Sequence, residues 1–419
     1  MSEFEFLTLD DVELEDKRVL VRVDINSPIG PRGEILDENR IKEASVTLRE
    51  LKESKVVVIS HQGRPGKSDF VSLERHAAIL EKYVGRPVKF IDDLMGPAVR
   101  GEVSKLKNGD VLLLENTRMY SEETIEAPIE ECAKTFLVRK LSPLFDVFVN
   151  DAFPAAHRSQ PSLVGFAYVL PSVAGRLVEK ELKALRRIIP QLKKPIVYLL
   201  GGAKVGDRLE VIETLAKTGL VDKIVIGGLL APVFLEASGM NLSNSNVKKN
   251  KEFEGYVERA RKLLRWREDV FLLPVDVAVD KNGERVEYPV NSIPSEYKIK
   301  DLGVRTVDKI VDVVSSAGSI IANGPLGVFE EEPFAVATLE VLKVVSKSNA
   351  VSIISGGHLT TALRRLKAED KVTYTSTAGG ALLHLLAGKR LPIIDALEIG
   401  KANAEKLKLI KRKKEEKGL

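Results

Sequence analysis

Cysteine, tryptophan and glutamine are scarce in this chain of 419 residues, which holds one Cys, one Trp and three Gln. A single cysteine excludes a disulfide within the chain and a metal cluster held by several thiolates. Five histidines, at positions 61, 76, 157, 358 and 384, are too scattered to show the spacing of a metal site. Cys132 lies in an apolar helical pattern, which favours a small buried side chain over a nucleophile.

Long apolar runs are also absent, since no segment approaches the ~20 residues of a membrane span. The first residues are acidic and lack the apolar core of a signal peptide. The formal net charge is only +4, with both signs interspersed, whereas nucleic-acid-binding proteins commonly have a one-sided basic excess. We therefore expect a cytoplasmic protein without nucleic-acid or membrane partners. The basic tail from Lys401 to Leu419 favours a solvated helix end over a binding patch, and both remain open.

Neither the Walker pattern nor the dinucleotide fingerprint G-x-G-x-x-G occurs, but one glycine-rich junction stands out. An apolar run from Ile196 ends at Gly201-Gly202, and a helical pattern follows. Glycines at such a junction let a ligand approach the backbone, and a helix N-terminus offers free N–H groups to an anion. Lys204 and Arg208 add two cations there. The pattern indicates an anion site, with an ordinary strand-to-helix turn and solvated charges as the alternative.

Apolar strands alternate with helical patterns almost from end to end, with five predicted strands before Pro154 and about six after Pro195. Continuous apolar strands separated by helices are typical of parallel sheets covered on both faces. We predict an α/β protein of two doubly wound domains. The expected domains are 1–170, completed by 392–419, and 192–391, with an interdomain helix over 171–191. Segments 129–139 and 270–279 are predicted as one helix and one strand.

The carboxyl ends of the predicted strands, where open α/β sheets bind ligands, differ between the two halves. Arginines at several ends in the first half predict a shared anion, because a guanidinium grips phosphate or carboxylate at two points. Glycines in the second half predict a surface where backbone and helix dipoles meet a second, larger anion. The residues are Arg22, Asp24, Asn26, His61, Arg64, Arg118, His157 and Arg158, then Gly201, Gly202, Gly227, Gly228, Gly324, Gly356, Gly357, Gly379 and Gly380.

With these motifs in order, the sequence resembles the phosphoglycerate kinase family over nearly its whole length. The matching segments are Val21–Asn26, Asn39–Ile41, Ser60–Pro65, Leu114–Arg118, Asn150–Arg158, Gly201–Val205, Ile226–Gly228, Asn323–Glu330, Ser355–Gly357 and Ser376–Gly380. The resemblance implies two Rossmann-like domains facing each other across a cleft, with phosphoglycerate on the first and nucleotide on the second. The implied reaction is reversible phosphoryl transfer between ATP and the carboxylate of 3-phosphoglycerate, giving ADP and 1,3-bisphosphoglycerate. Hinge closure and electrostatic stabilisation of the moving phosphoryl group are part of that expectation.

The resemblance assigns roles to the residues at matching positions. Those implied to bind phosphoglycerate are Asp24, Ile25, Asn26, Arg40, His61, Gln62, Gly63, Arg64, Arg118 and Arg158. Those implied to bind the nucleotide are Gly202, Ala203, Lys204, Arg208, Gly227, Gly228, Asn323, Glu330, Gly356, Gly357, His358 and Leu359. The implied catalytic residues are Arg40, Lys204, Gly357 and Gly380. The acceptor carboxylate is already ionised and needs no base, so catalysis rests on alignment and positive charge.

The sequence departs from the family pattern at four positions. His358 stands where the family commonly has an aspartate that contacts the metal, and magnesium prefers oxygen to imidazole. We therefore predict no protein ligand for the metal, and expect Mg²⁺ in MgATP or MgADP to be held mainly by phosphate oxygens and water. Ala322 replaces a frequent tryptophan, and Leu229 and Pro154 replace glycines. The expected partners are the small-molecule substrates alone, for a monomer or a homodimer.

Two rival functions remain open at this level. One is another two-domain, ATP-dependent enzyme that forms an acyl phosphate. The other is a non-enzymatic protein that closes over a small polyanion. Lys204 and Glu330 in the glycine-rich half favour an enzyme, because a simple polyanion binder has no use for a nucleotide site.

Overall fold

The computed structural model describes residues 5–243, 247–376 and 378–411. The chain folds into two compact units. The first comprises Met1–Lys183 and Arg390–Leu419, and the second comprises Ala184–Lys389. Thr377, at the end of one predicted strand and within one family motif, and residues 412–419 of the basic tail lie outside the described residues.

A six-stranded parallel sheet forms the centre of the first unit. Its strands are β1 (Arg18–Val23), β2 (Lys55–Ile59), β3 (Val88–Ile91), β4 (Val111–Leu114), β5 (Val147–Asp151) and β6 (Ser172–Ala174). Their order across the sheet is β3-β4-β2-β1-β5-β6, and all neighbouring pairs are parallel. The register sets Arg22 of β1 beside Ile59 of β2 and Asn150 of β5.

The side chains of β1 alternate between the two faces of this sheet, as a pleated strand requires. Val19, Val21 and Val23 pack into the core on one face, and Leu20 packs into the core on the other. Arg22 shares the face of Leu20 and is fully buried. Because a buried charge is costly unless it is paired and hydrogen-bonded, the fold must supply partners for this guanidinium.

Helices cover both faces of the first sheet. They are α1 (Asn39–Glu50), α2 (Glu74–Val84), α3 (Pro97–Val103), α4 (Ile129–Ala133), α5 (Phe136–Leu141), α6 (Phe166–Val169) and α7 (Arg176–Ile188). In α1 the buried residues Ile41, Ala44 and Leu48 are three or four positions apart, so they form one apolar stripe. Cys132 is buried on α4. Helix α7 carries the chain from the first unit into the second.

The second unit contains two sheets. Its strands are β7 (Ile196–Leu200), β8 (Lys223–Ile226), β9 (Phe271–Leu272), β10 (Asp276–Lys281), β11 (Glu284–Pro289), β12 (Lys298–Leu302), β13 (Ser319–Asn323), β14 (Val351–Ser355) and β15 (Tyr374–Ser376). A six-stranded parallel sheet has the order β15-β14-β13-β7-β8-β9. The antiparallel strands β11-β10-β12 form a separate three-stranded sheet.

Helices follow most strands of the parallel sheet in the second unit, and several of them contribute residues to its hydrophobic core. They are α8 (Val205–Thr218), α9 (Leu230–Ala237), α10 (Lys251–Arg267), α11 (Val304–Ser315), α12 (Val336–Val345), α13 (Gly357–Arg365) and α14 (Gly380–Leu386). The last helix, α15 (Pro392–Lys406), packs against β6 and α6 of the first unit. Among the described residues, no helix has the length and apolar composition needed to cross a membrane.

Two elements predicted from the sequence are wrong in detail. Segment 270–279 is not one strand but contributes β9 and β10 to different sheets, and Pro274 between them cannot donate to a strand ladder. Segment 129–139 is two helices, α4 and α5. Thr135 separates them with an extended backbone, while its hydroxyl donates to the carbonyl of Cys132 at 2.7 Å in place of helix continuation.

Candidate active site

The polar edge of the first unit is built from the segments that follow its parallel strands. Asp24 follows β1, His61 follows β2, and Arg118 follows β4. Because these strands are parallel and adjacent, their carboxyl ends meet at one edge of the sheet. The structure therefore brings together side chains that are far apart in the sequence.

Arg22 is held by a buried acidic group that the sequence analysis did not single out. Its Nη2 lies 3.9 Å from Oε1 of Glu123, and both side chains are fully buried. Ser162 connects them, since its hydroxyl accepts from Nε of Arg22 at 2.8 Å and donates to Glu123. Burial raises the pKa of Glu123, while the positive charge of Arg22 opposes that rise. Glu123 thus supplies the negative charge that a buried guanidinium requires.

His61 is a buried, neutral imidazole at this edge. Its Nδ1 lies 2.9 Å from Nη2 of Arg22, which can only donate. Burial holds the pKa of His61 well below its usual value. The charge of Asp24 opposes this decrease, and the charges of Arg22, Arg118 and Arg158 add to it. The ring therefore carries its single proton on Nε2 at neutral pH.

Asp24 and Arg40 form an ion pair between the end of β1 and the start of α1. Nη1 of Arg40 donates to Oδ1 of Asp24 at 2.9 Å. The Asp24 side chain is buried, whereas 32% of the Arg40 side chain is exposed. Burial alone would raise the pKa of Asp24, but the charges of Arg40 and Arg22 lower it below its usual value. Asp24 is thus ionised, and its hydrogen bond to Nη1 orients the guanidinium of Arg40.

The loop Ser60–Pro65 is fixed by its own hydrogen bonds. The Gln62 amide donates to the carbonyls of Ser27 and Asp69, and its oxygen accepts from Ser27 N–H and His76. These four bonds use the whole Gln62 side chain. The N–H of Gly63 donates to Asn26 at 3.0 Å, and a Cβ at Gly63, where φ is +65°, would lie 2.3 Å from Asp69 O. Ile25 is buried, and its N–H donates to Ser60.

Three arginines lie around this loop without ion-pair partners among the described residues: Arg64, Arg118 and Arg158. Arg118 is buried and donates to the carbonyl of Gly63. Burial lowers the pKa of Arg118 to about 10, and the charges of Arg158, Arg22 and Arg64 contribute to that decrease. Arg64 is exposed and Arg158 is half-buried. Because like charges repel, this edge is suited to a ligand with several negative charges.

The glycines of the second unit pack the loops at its strand ends against one another. A Cβ at Gly228 would lie 2.3 Å from Gly202 N, and one at Gly324 would lie 2.4 Å from Gly201 O. The N–H of Gly202 donates to Pro325 O at 2.8 Å, and that of Gly228 donates to Leu326 O at 2.7 Å. Packing among the loops therefore already requires several of these glycines. A Cβ at Gly227 would likewise meet Leu326 at 2.5 Å.

Asn323 lies at the centre of this second edge, at the end of β13. Its amide donates to Ser355 at 2.6 Å, and its Oδ1 is buried without a hydrogen-bond partner among the described residues. A Cβ added at Gly379 would lie 3.0 Å from that amide. Gly356, with φ of +95°, precedes α13, and Gly357 and Gly380 are the first residues of α13 and α14. The N–H groups of the first turn of α13, which have no partners within the helix, thus lie at the same edge as Asn323.

Lys204 and Arg208 occupy the start of α8. Lys204 is the exposed N-cap residue, preceded by the exposed Ala203. Arg208, one turn later, is buried, and burial lowers its pKa to about 10. Its Nε has no hydrogen-bond partner among the described residues. A buried cation at a helix N-terminus is poorly placed for the helix dipole, so this position favours an anionic partner.

Glu330 and His358 are paired in the structure. Nε2 of His358 lies 2.9 Å from Oε1 of Glu330, and more than half of each side chain is exposed. Leu359, by contrast, is buried in the core, which leaves only its backbone for a ligand. Within the described residues, no three His, Cys, Asp or Glu side chains are grouped to hold a metal ion.

Comparison with known proteins gives the class of protein first. A solved phosphoglycerate kinase from Pyrococcus horikoshii OT3 superposes with a TM-score of 0.84 at 42% identity, covering 95% of this chain and all of that one. One from Coxiella burnetii gives 0.66 at 33% identity, with 94% and 99% covered. The predicted fold class, two α/β domains with parallel sheets, is confirmed.

The sequence comparisons then give the family. The family model for phosphoglycerate kinase matches residues 9–389. A phosphoglycerate kinase of Methanothermus fervidus is 44% identical over 96% of this chain and 99% of its own length. One from Methanobacterium bryantii is 47% identical over 94% and 97%. The chain belongs to the phosphoglycerate kinase family. The predicted family and the predicted phosphotransferase class are confirmed, and the two rival functions find no support.

Proposed function

We propose that this chain transfers a phosphoryl group reversibly between ATP and the carboxylate of 3-phosphoglycerate. The observation that carries the proposal is the family match over residues 9–389, with relatives more than 40% identical over nearly their full lengths. The two anion-suited edges support it, because one lies on each unit. A reaction that joins two anionic substrates needs two such sites.

The first unit is proposed as the phosphoglycerate-binding domain. Arg64, Arg118 and Arg158 would bind the phosphate, because they lack carboxylate partners among the described residues. His61 would donate a hydrogen bond from Nε2–H to 3-phosphoglycerate. Asp24 and Asn26 would accept a hydrogen bond from the hydroxyl group of 3-phosphoglycerate. Gln62, Gly63 and Ile25 hold the loop rather than offering free side-chain groups, so their proposed contribution is the shape of the site.

The second unit is proposed as the nucleotide-binding domain. Gly202, Ala203, Gly227 and Gly228 would form the floor for the nucleoside, with Glu330 at the ribose. Arg208 and Lys204 would bind phosphate oxygens. Gly356 precedes α13, and the N–H groups of Gly357, His358 and Leu359 would face the phosphate chain of the nucleotide. The side chain of Asn323 would form a hydrogen bond with the nucleotide beside them. The Oδ1 of Asn323 supports this placement, because it is buried without a hydrogen-bond partner in the described part of the chain.

Catalysis in this proposal needs no base, because the attacking carboxylate is ionised at neutral pH. The barrier falls through alignment and through positive charge on the oxygens of the transferring group. Arg40 and Lys204 would supply that charge, with backbone N–H groups of Gly357 and Gly380 assisting. Since these residues belong to different units, the proposal includes a hinge closure that brings them onto one phosphoryl group and excludes water.

The family uses nucleotide as its magnesium complex, and the bound ion neutralises phosphate charge. Position 358 does not fit as a protein ligand here, because its imidazole donates Nε2–H to Glu330 and magnesium prefers oxygen. We propose that phosphate oxygens and water hold most of the ion's coordination. A cytoplasmic location and a monomeric or homodimeric state remain predictions.

A coupled assay tests the proposed function. 3-Phosphoglycerate and MgATP are supplied, and product is followed through reduction by glyceraldehyde-phosphate dehydrogenase and NADH. We expect turnover that depends on both substrates, and no turnover when glycerate or acetate replaces 3-phosphoglycerate. Release of ADP with acetate instead, measured directly because the coupling enzyme reports only the phosphoglycerate product, would indicate a different acyl-phosphate-forming enzyme. Tight binding without turnover would indicate a polyanion-binding protein.

A further inference from the structure

The pair of Glu330 and His358 connects two different elements of the second unit. Glu330 lies in the loop that follows β13, and His358 is the second residue of α13. The imidazole Nε2 and the carboxylate Oε1 are 2.9 Å apart, which is hydrogen-bond distance. The exposed fractions are 59% for His358 and 57% for Glu330, so a ligand can reach both.

The backbone around Glu330 is held by other contacts. The N–H of Val328 donates to the carbonyl of Lys300 at 2.8 Å, and the Lys300 ammonium donates to Glu331 at 2.6 Å. Phe329 is buried in the hydrophobic core, and Arg365 of α13 pairs with Glu332. The bond from His358 therefore has little influence on the loop itself. Its effect is confined to the direction of the Glu330 side chain.

That bond leaves part of the Glu330 carboxylate available. A carboxylate accepts at two oxygens with about four lone-pair sites, and His358 uses one of them. A contact this exposed contributes little to folding stability. Its consequence is the restriction of a side chain with several rotatable bonds, which lowers the entropy cost of binding a ligand to the remaining oxygen.

We propose that His358 is a positioning residue that orients Glu330 toward the two hydroxyl groups of a ribonucleotide. The inference rests on the proposed nucleotide site of the second unit. It assigns position 358 to recognition of the sugar rather than of the metal. The ligand class is a ribonucleoside diphosphate or triphosphate, discriminated from its 2′-deoxy form by the carboxylate that His358 holds.

Calorimetric titration with ADP and with 2′-deoxyADP tests the proposal. Glu330→Gln should weaken ADP binding by about tenfold or more, because a hydrogen bond to a charged group is lost. His358→Ala should weaken ADP binding by about three- to tenfold, through the ordering of one side chain. Both variants should weaken binding of 2′-deoxyADP by less than they weaken binding of ADP, because only one of the two hydroxyl groups remains for the carboxylate. The Glu330→Gln/His358→Ala double variant should lose little more than Glu330→Gln alone.

Arg365→Ala provides the matched control, because it removes the contact of Arg365 with Glu332 between the same helix and the same loop. It should leave the ratio of ADP to 2′-deoxyADP affinity unchanged. His358→Gln, whose amide can donate to Glu330, should restore part of that ratio. Melting curves of all variants identify any that fail to fold. If His358→Ala is among them, the ratio of ADP to 2′-deoxyADP affinity in Glu330→Gln and His358→Gln tests the proposal.

Equal weakening of both nucleotides by His358→Ala would overturn the proposal. So would a large rise in the magnesium concentration needed for half-maximal rate, because that assigns the imidazole to the metal. If the unmodified protein is active but does not discriminate ADP from 2′-deoxyADP, this inference fails and the proposed kinase function stands. If ADP does not bind at all, the proposed function itself fails.

Discussion

Nη2 of Arg22 lies 2.9 Å from Nδ1 of His61, and the same guanidinium pairs with the buried carboxylate of Glu123. The guanidinium has only donors, so His61 accepts at Nδ1 and keeps its proton on Nε2. The fold thus fixes the tautomer of a site histidine through an arginine that itself is buried. This arrangement depends on the carboxylate of Glu123, which neutralises the buried charge of Arg22.

The neutral state of His61 gives the first prediction. Burial, reinforced by nearby arginines, holds its pKa well below the usual value, so the ring should not titrate between pH 6 and 8. Proton NMR should show that the imidazole resonance lost in His61→Gln keeps a constant shift over that range. A titration of that resonance with a midpoint near 6.5 would contradict the buried arrangement.

Arg158→Ala should weaken 3-phosphoglycerate binding and leave ADP affinity nearly unchanged. The variant loses one of the three arginines that form no ion pair within the described part of the chain. A charge-assisted contact is worth about 1.5–3 kcal/mol, or roughly ten- to a hundredfold. Calorimetric titration with each ligand separately measures this. Arg139→Ala, an exposed arginine of α5 in the same unit, is the control for charge alone. Equal losses for both ligands would refute the division of binding between the units.

Arg40→Ala should lower kcat far more than it raises KM for 3-phosphoglycerate. A contact realised mainly in the transition state appears in kcat, and removal of one such group typically costs about 100- to 1000-fold. Steady-state kinetics measures both constants. Arg49→Ala changes another arginine of α1, whose Nη1 donates to Tyr83 O, and should leave kcat unaltered. A normal kcat with only a raised KM would reassign Arg40 to binding of the ground state.

The fourth prediction concerns Asp151, which accepts from the N–H groups of Leu177 and Val178 at the start of α7. Burial raises its pKa to about 7 from 3.8. Between these values the folded state holds more protons than the unfolded state, so this contribution to stability is complete below pH 4 and is lost as the pH rises through 7. Asp151→Asn keeps an accepting oxygen but cannot ionise.

Urea denaturation at pH 5 and pH 8 measures the effect of that substitution. The free energy of unfolding of Asp151→Asn, relative to the unmodified protein, should rise by about 2 kcal/mol from pH 5 to pH 8. The comparison at each pH removes the contribution of every other titrating group. A difference that stays constant with pH would show that Asp151 ionises as an ordinary carboxyl group, and a difference that falls would show that the fold lowers its pKa.

The sequence predicted the two parallel sheets because strands buried on both faces are recognisable as short apolar runs. It did not predict the antiparallel sheet β11-β10-β12, because β11 is only half-buried along its middle and carries no continuous apolar pattern. Strand β6 was missed because three residues at a sheet edge give too short a signal. Both omissions concern strands whose burial depends on packing partners rather than on their own composition.

The arginines of the first unit were predictable because adjacent parallel strands bring their carboxyl ends to one edge. Glu123 and Ser162 were not, since they lie in short irregular helical turns and reach Arg22 only through the tertiary fold. The bond between Glu330 and His358 likewise joins elements separated by a helix and a strand. Site residues that directly follow a strand could be predicted from the sequence. Contacts between side chains of distant loops could be found only in the structure.

Chemical trapping of the product tests the central claim most directly. An acyl phosphate reacts with hydroxylamine to give a stable hydroxamate, so incubation with MgATP, 3-phosphoglycerate and hydroxylamine reports transfer to a carboxylate without a coupling enzyme. The account predicts one hydroxamate for each ADP released, formed only when both substrates are present, and nearly abolished in Arg40→Ala. Release of ADP without hydroxamate would contradict it, as would hydroxamate formed equally well from unphosphorylated glycerate.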